Sequence, residues 1–88
     1  GVKAKAKQAA QAKLRSKLRR FFKDADEKPQ SITHATTYDE DIALEVGKLF
    51  IDYGVTKEEM KDLYEETLAS YIVEEAQQKA YILNVKMR

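Results

Sequence analysis

Eighty-eight residues, 43% of them hydrophobic, make at most one small domain. The lack of cysteine excludes disulfides and thiolate metal sites, and no apolar run approaches the ~18 residues that span a bilayer. The net charge of +1 conceals a segregation: residues 1–23 carry nine bases and no acid, residues 24–75 carry all fifteen acids against four bases, and residues 76–88 carry three bases.

Those blocks of +9, −11 and +3 admit three readings. The basic segment binds a polyanion (nucleic acid or anionic lipid), or it docks on the acidic body of a neighbouring copy, or it is a solvated helix face. With only three glycines and one proline among many good helix formers, the chain reads as all-α with a few long helices. No signal peptide is visible, so the cytoplasm is the default location. The chain begins Gly1-Val2 without methionine, which reads as a cleavage scar with native sequence upstream.

The first predicted helix runs from about Gln8 to Asp24. At 100° per residue Ala10, Leu14, Leu18, Phe21, Phe22 and Ala25 share one face, and Lys13, Arg15, Lys17, Arg19, Arg20 and Lys23 surround the rest. Those six are the candidate nucleic-acid contacts, gripping the phosphate backbone of DNA or RNA without reading sequence. No Gly-aromatic motif, aromatic platform or zinc-finger spacing accompanies them. Lys3 and Lys7 fall on the apolar side, so residues 2–7 are expected to fray in isolation. Phe21 and Phe22 could enter a lipid interface, but a core role explains them more simply, and a membrane-surface partner ranks lower.

Residues 25–37, with Pro29, Ser31, Thr33, His34 and Thr36, read as a linker between a 1–24 arm and a 38–88 acidic helical body. Thr37 and Glu40 have capping-box spacing and open the second predicted helix, which Gly54 stops after Tyr53. Its main stripe is Tyr38, Ile42, Val46, Leu49, Phe50 and Tyr53. Leu44, Gly47 and Ile51 lie nearly opposite, either buried in a central helix or forming an oligomer contact.

A second capping box, Thr56 with Glu59, opens the third predicted helix, which no Gly or Pro interrupts as far as Arg88. Its first half carries Met60, Leu63, Tyr64, Thr67, Leu68 and Tyr71 on one face. Its second half carries Ala69, Val73, Ala76, Ala80 and Leu83, spaced 4-3-4-3 as a heptad seam on another face. A second stripe needs a second partner, and self-association is the economical one. The expected fold is therefore three helices: the basic amphipathic one, then a helical hairpin about Gly54 that ends in the long C-terminal helix.

Chemistry finds little support. The turn at Gly54 has helix-turn-helix spacing, but Phe50 sits where a small residue is needed. Lys57, Glu58, Lys61 and Asp62 would also turn carboxylates toward a phosphate-lined groove. His34 is the only histidine, so neither a metal site nor a His-based dyad has a second imidazole. The pairs Glu58-Glu59, Glu65-Glu66 and Glu74-Glu75 read as solvated faces. Four of the five tyrosines lie on inferred core faces. No enzyme activity, cofactor or metal is expected. The first functional reading is a non-enzymatic, oligomeric nucleic-acid-binding protein. The second is a structural or adaptor module that self-assembles by basic-arm-to-acidic-body contacts. A basic or acidic protein partner is compatible with either.

Overall fold

A computed structural model describes residues 1–87, and those residues are all-helical: α1 (Val2–Asp24), α2 (Ile32–Tyr38), α3 (Glu40–Tyr53) and α4 (Lys57–Met87). There are four helices rather than three, because α2 forms inside the segment expected to be a linker. Its seven residues include three weak helix formers (Thr33, Thr36 and Thr37), so tertiary contact must supply what propensity does not. Ile32 and Ala35 are buried in the common core, and the Ser31 hydroxyl accepts a 3.2 Å hydrogen bond from the His34 N–H.

The start of α3 is also two residues later than the Thr37–Glu40 spacing implied. Thr37 remains in α2, where its hydroxyl donates to the His34 carbonyl at 2.7 Å. Asp39, in extended backbone, caps instead: one carboxylate oxygen accepts from the N–H groups of Asp41 (2.8 Å) and Ile42 (3.1 Å). A charged acceptor satisfying two orphan donors at the positive end of the helix outcompetes a hydroxyl that satisfies one. This shift turns Tyr38 off the expected core stripe, and it lies 64% exposed, stacked on Phe21 and bonded to the His34 ring at 3.2 Å. Phe50 likewise sits at the rim rather than inside.

The turn at Gly54 is as expected. Its φ of 61° is left-handed, and the Val55 N–H reaches back to the Leu49 carbonyl at 3.0 Å. Thr56 then caps α4: its hydroxyl accepts from the Glu59 N–H at 3.0 Å and donates to the Glu59 carboxylate at 3.3 Å. The helices on either side of this turn do not pack along each other, however. All of their extensive contacts are with α1, which lies against both, and with α2.

One core results, and every helix feeds it. Leu14, Leu18 and Phe22 come from α1, Ile32 and Ala35 from α2, Ile42, Val46 and Leu49 from α3, and Met60, Leu63 and Tyr64 from α4, with Val55 from the turn. Residues 1–24 are thus a structural member of the domain, not an appendage. Phe22 anchors the centre, its ring 5.7 Å from those of both Tyr64 and Tyr71. The connection from α1 to α2 is fastened to α4, since the buried Tyr64 hydroxyl donates to the Pro29 carbonyl and Lys28 lies 5.5 Å over the Tyr71 ring. The molecule measures 52 × 31 × 20 Å, and the long dimension matches the ~46 Å expected of a 31-residue helix.

Candidate interaction site

Part of the charge segregation is consumed within the chain. Glu45, on the flank of the α3 stripe, is only 2% exposed, yet no core residue of opposite charge surrounds it. Lysines reach in from the surface: Lys17 at 3.2 Å and Lys13 at 3.6 Å from α1, and Lys48 at 3.8 Å from its own helix. Burial by itself would raise the Glu45 pKa. The hydrogen bond from Lys17 and the fields of Lys17, Lys13 and Lys48 together outweigh it and hold the carboxylate below its ordinary value. Near the N-terminus Lys7 pairs with Glu59 at 3.3 Å, lowering that carboxyl as well. Arg19 pairs with Glu74 and contacts the Ser70 hydroxyl at 3.4 Å.

Helix α1 begins at Val2 although its apolar stripe does not extend that far, and of the cations in its first two turns only Lys7 is neutralised by an acid of the body among the described residues. Of the six candidate nucleic-acid contacts, Lys13, Lys17 and Arg19 are engaged with acids of the body. Arg15, Arg20 and Lys23 are exposed and make no ion pair among the described residues. Glu45 was missed by the sequence reading. Its position beside Ile42 and Leu49 on the α3 wheel, facing lysines spaced i, i+4 on α1, is the signal that could have found it.

The candidate oligomer residues stay solvent-accessible. On α3, Leu44 and Ile51 are exposed and Gly47 half-buried, on the face away from α1 and α2. On α4, Ala69, Val73, Ala76, Ala80 and Leu83 are all exposed. The seam is longer than first drawn, since Met87, four residues past Leu83, continues it at 85% exposure, and Ile72 flanks it. On the helical wheel this seam lies roughly opposite the Met60–Leu63–Tyr64–Thr67 face that packs into the core. The body therefore leaves it unobstructed.

A groove of about 540 Å³ opens where α3 and α4 diverge, floored by Ile32, Val46, Phe50, Met60 and Tyr64 and rimmed by Lys57, Lys61 and Glu65. It holds no grouping of nucleophile and base. His34 faces Tyr38 and no second titratable partner, and no group of three His, Asp or Glu side chains among the described residues is placed to hold a metal. No helix of the described residues is long and apolar enough to cross a membrane. The C-terminal half of α4 carries most of the exposed large apolar side chains, with Val73, Leu83 and Met87 on the outer seam and Tyr81, Ile82 and Val85 on the opposite side. No family model, curated protein or solved structure matches this chain.

Proposed function

We propose that the protein is a non-enzymatic interaction module in which a four-helix body presents the C-terminal half of α4 as a docking strut for self-association. One observation carries this reading: Val73, Leu83 and Met87 are each more than half exposed, in line with three alanines, along a helix that the body supports only up to about Glu75. Single exposed aliphatics are ordinary on a soluble protein. A continuous apolar seam about 27 Å long is what mates with another helix.

This route to assembly differs from basic-arm-to-acidic-body docking, with which the Glu45, Glu59 and Glu74 pairs inside one chain would compete. The test is sedimentation over a hundredfold concentration range. Wild type is expected to exceed its 10.1 kDa monomer mass as concentration rises. The double variant Val73→Glu, Leu83→Glu should remain monomeric with unchanged helicity. Wild type that stays monomeric throughout refutes the proposal.

A second reading, polyanion binding by α1, retains support from the exposed Arg15, Arg20 and Lys23. With five of the nine N-terminal cations unpaired among the described residues (Lys3, Lys5, Arg15, Arg20 and Lys23), the salt dependence of binding would be shallower than nine would give, a slope no steeper than about −4.5 in log affinity against log salt for duplex DNA. Fluorescence anisotropy with short DNA and RNA at two salt concentrations tests it. Binding abolished by Arg15→Ala, Arg20→Ala and Lys23→Ala together supports the reading, and no binding at low salt removes it.

A further inference from the structure

We infer that the partner on the outer seam of α4 is a second copy of this chain lying antiparallel, with Val73 of each copy against Leu83 of the other. This rests on the interaction-module reading above and adds the identity and direction of the partner.

The heptad spacing places Val73, Ala80 and Met87 at one seam position and Ala69, Ala76 and Leu83 at the other. Antiparallel helices pair the first set with the second. In the register that puts Val73 opposite Leu83, Ala76 falls opposite Ala80 and Ala69 opposite Met87. Four alanines then meet at the two-fold axis, and larger side chains fill the layers toward both ends. Crossing helices are closest at one point and separate on either side, so small residues at the centre with bulk beyond them fit that geometry.

Charge decides against the parallel alternative. The seam ridge continues toward the N-terminus of α4 through Glu58, Asp62, Glu65 and Glu66, all exposed, whereas the C-terminal end carries Lys79 and Lys86. A parallel pair would set each of those acids beside its own copy, and like charges in register repel. The antiparallel pair brings each acidic ridge toward the partner's C-terminal turns, with Lys86 within about two helical turns of it. It also opposes the two helix dipoles. One like pair is created, Lys79 near its own copy, and each Lys79 already has its own Glu75 carboxylate at 3.6 Å. The body packs on the other side of α4, so neither copy obstructs the other.

The chain has no cysteine, so single substitutions report direction without background. Val73→Cys and Leu83→Cys proteins, one of them bearing a size tag, are oxidised separately and as an equimolar mixture, alongside sedimentation of the wild type. The expected result is a covalent dimer in the mixture, of mixed composition, at least tenfold above that from either variant alone. Efficient cross-linking of Val73→Cys with itself means a parallel pair and overturns the inference while leaving self-association standing. A wild-type dimer with no cross-link in any arm places the contact elsewhere, on the Tyr81–Ile82–Val85 side of α4, the outer face of α3 or the groove, and also overturns the inference. A wild type that is monomeric at every concentration overturns both.

Discussion

The two halves of α4 share one uninterrupted helix and have opposite surroundings. Between Met60 and Thr67 the apolar side chains are buried against the rest of the body, and between Ile72 and Met87 they face solvent. Local composition does not separate the halves, since each has aliphatics at helical spacing, paired acids and no helix breaker. They differ in what the chain brings beside them. α1 is long enough to lie along the first half, with Phe22 meeting Tyr64 and Tyr71 and Arg19 reaching Glu74, and there it stops. An apolar stripe says that a helix has a partner. It does not say whether the partner belongs to the same chain.

That contrast can be broken most sharply by truncating equivalent side chains on either side of it. Leu63→Ala, at a buried site in the first half of α4, is expected to cost about 3 kcal/mol of stability, a large share of the total for so small a domain. Val73→Ala should change the stability of the dilute monomer by less than about 0.5 kcal/mol while weakening association. Urea denaturation read by circular dichroism, with sedimentation alongside, checks both. Equal costs would mean that the second half of α4 is part of the core.

The charged seam between α1 and α3 should give the next largest effect. Glu45→Gln leaves three lysines around a neutral amide and is expected to cost about 2 kcal/mol, less than a fully buried pair because the lysines remain partly in water. The Glu45 carboxyl is held below its ordinary value when folded. Its contribution is therefore full above the ordinary carboxylate range and is lost as pH falls through the lower folded value. The acid limb of the stability curve should flatten in the Gln variant, and an unchanged limb would show that Glu45 is not a linkage site.

Tyr64→Phe tests the strap formed by the α1–α2 connection. Losing the hydroxyl leaves the Pro29 carbonyl without its donor, at a cost of about 1 kcal/mol by thermal or urea denaturation. Burial also raises the Tyr64 pKa, so wild-type stability should decline at pH above the ordinary tyrosine range, more steeply than that of the Phe variant. The smallest effect is expected where α1 faces solvent. Arg15→Ala, Arg20→Ala and Lys23→Ala should each alter stability by less than about 0.5 kcal/mol, whereas Lys17→Ala should cost more because it leaves Glu45 short of a partner. A chemical denaturation series over the four separates paired from unpaired cations.

Much of the architecture was legible from residues 1–88 taken alone. Helix periodicity identified Leu14, Leu18 and Phe22 as one face, and the Gly54 stop and the Thr56–Glu59 cap lie where spacing put them, because those signals are local and each involves groups within a helical turn. The all-helical class followed from composition for the same reason. What propensity could not reveal was α2, a short helix that exists because Ile32 and Ala35 find a core built by residues far away in the chain. The roles of the nine N-terminal cations were likewise invisible, since a block of charge looks the same whether its partner is a polyanion, a neighbour or Glu45, twenty-eight residues on from Lys17. Periodicity and capping are properties of adjacent residues. Which surface remains uncovered is a property of how whole helices pack, and only the tertiary structure decides it.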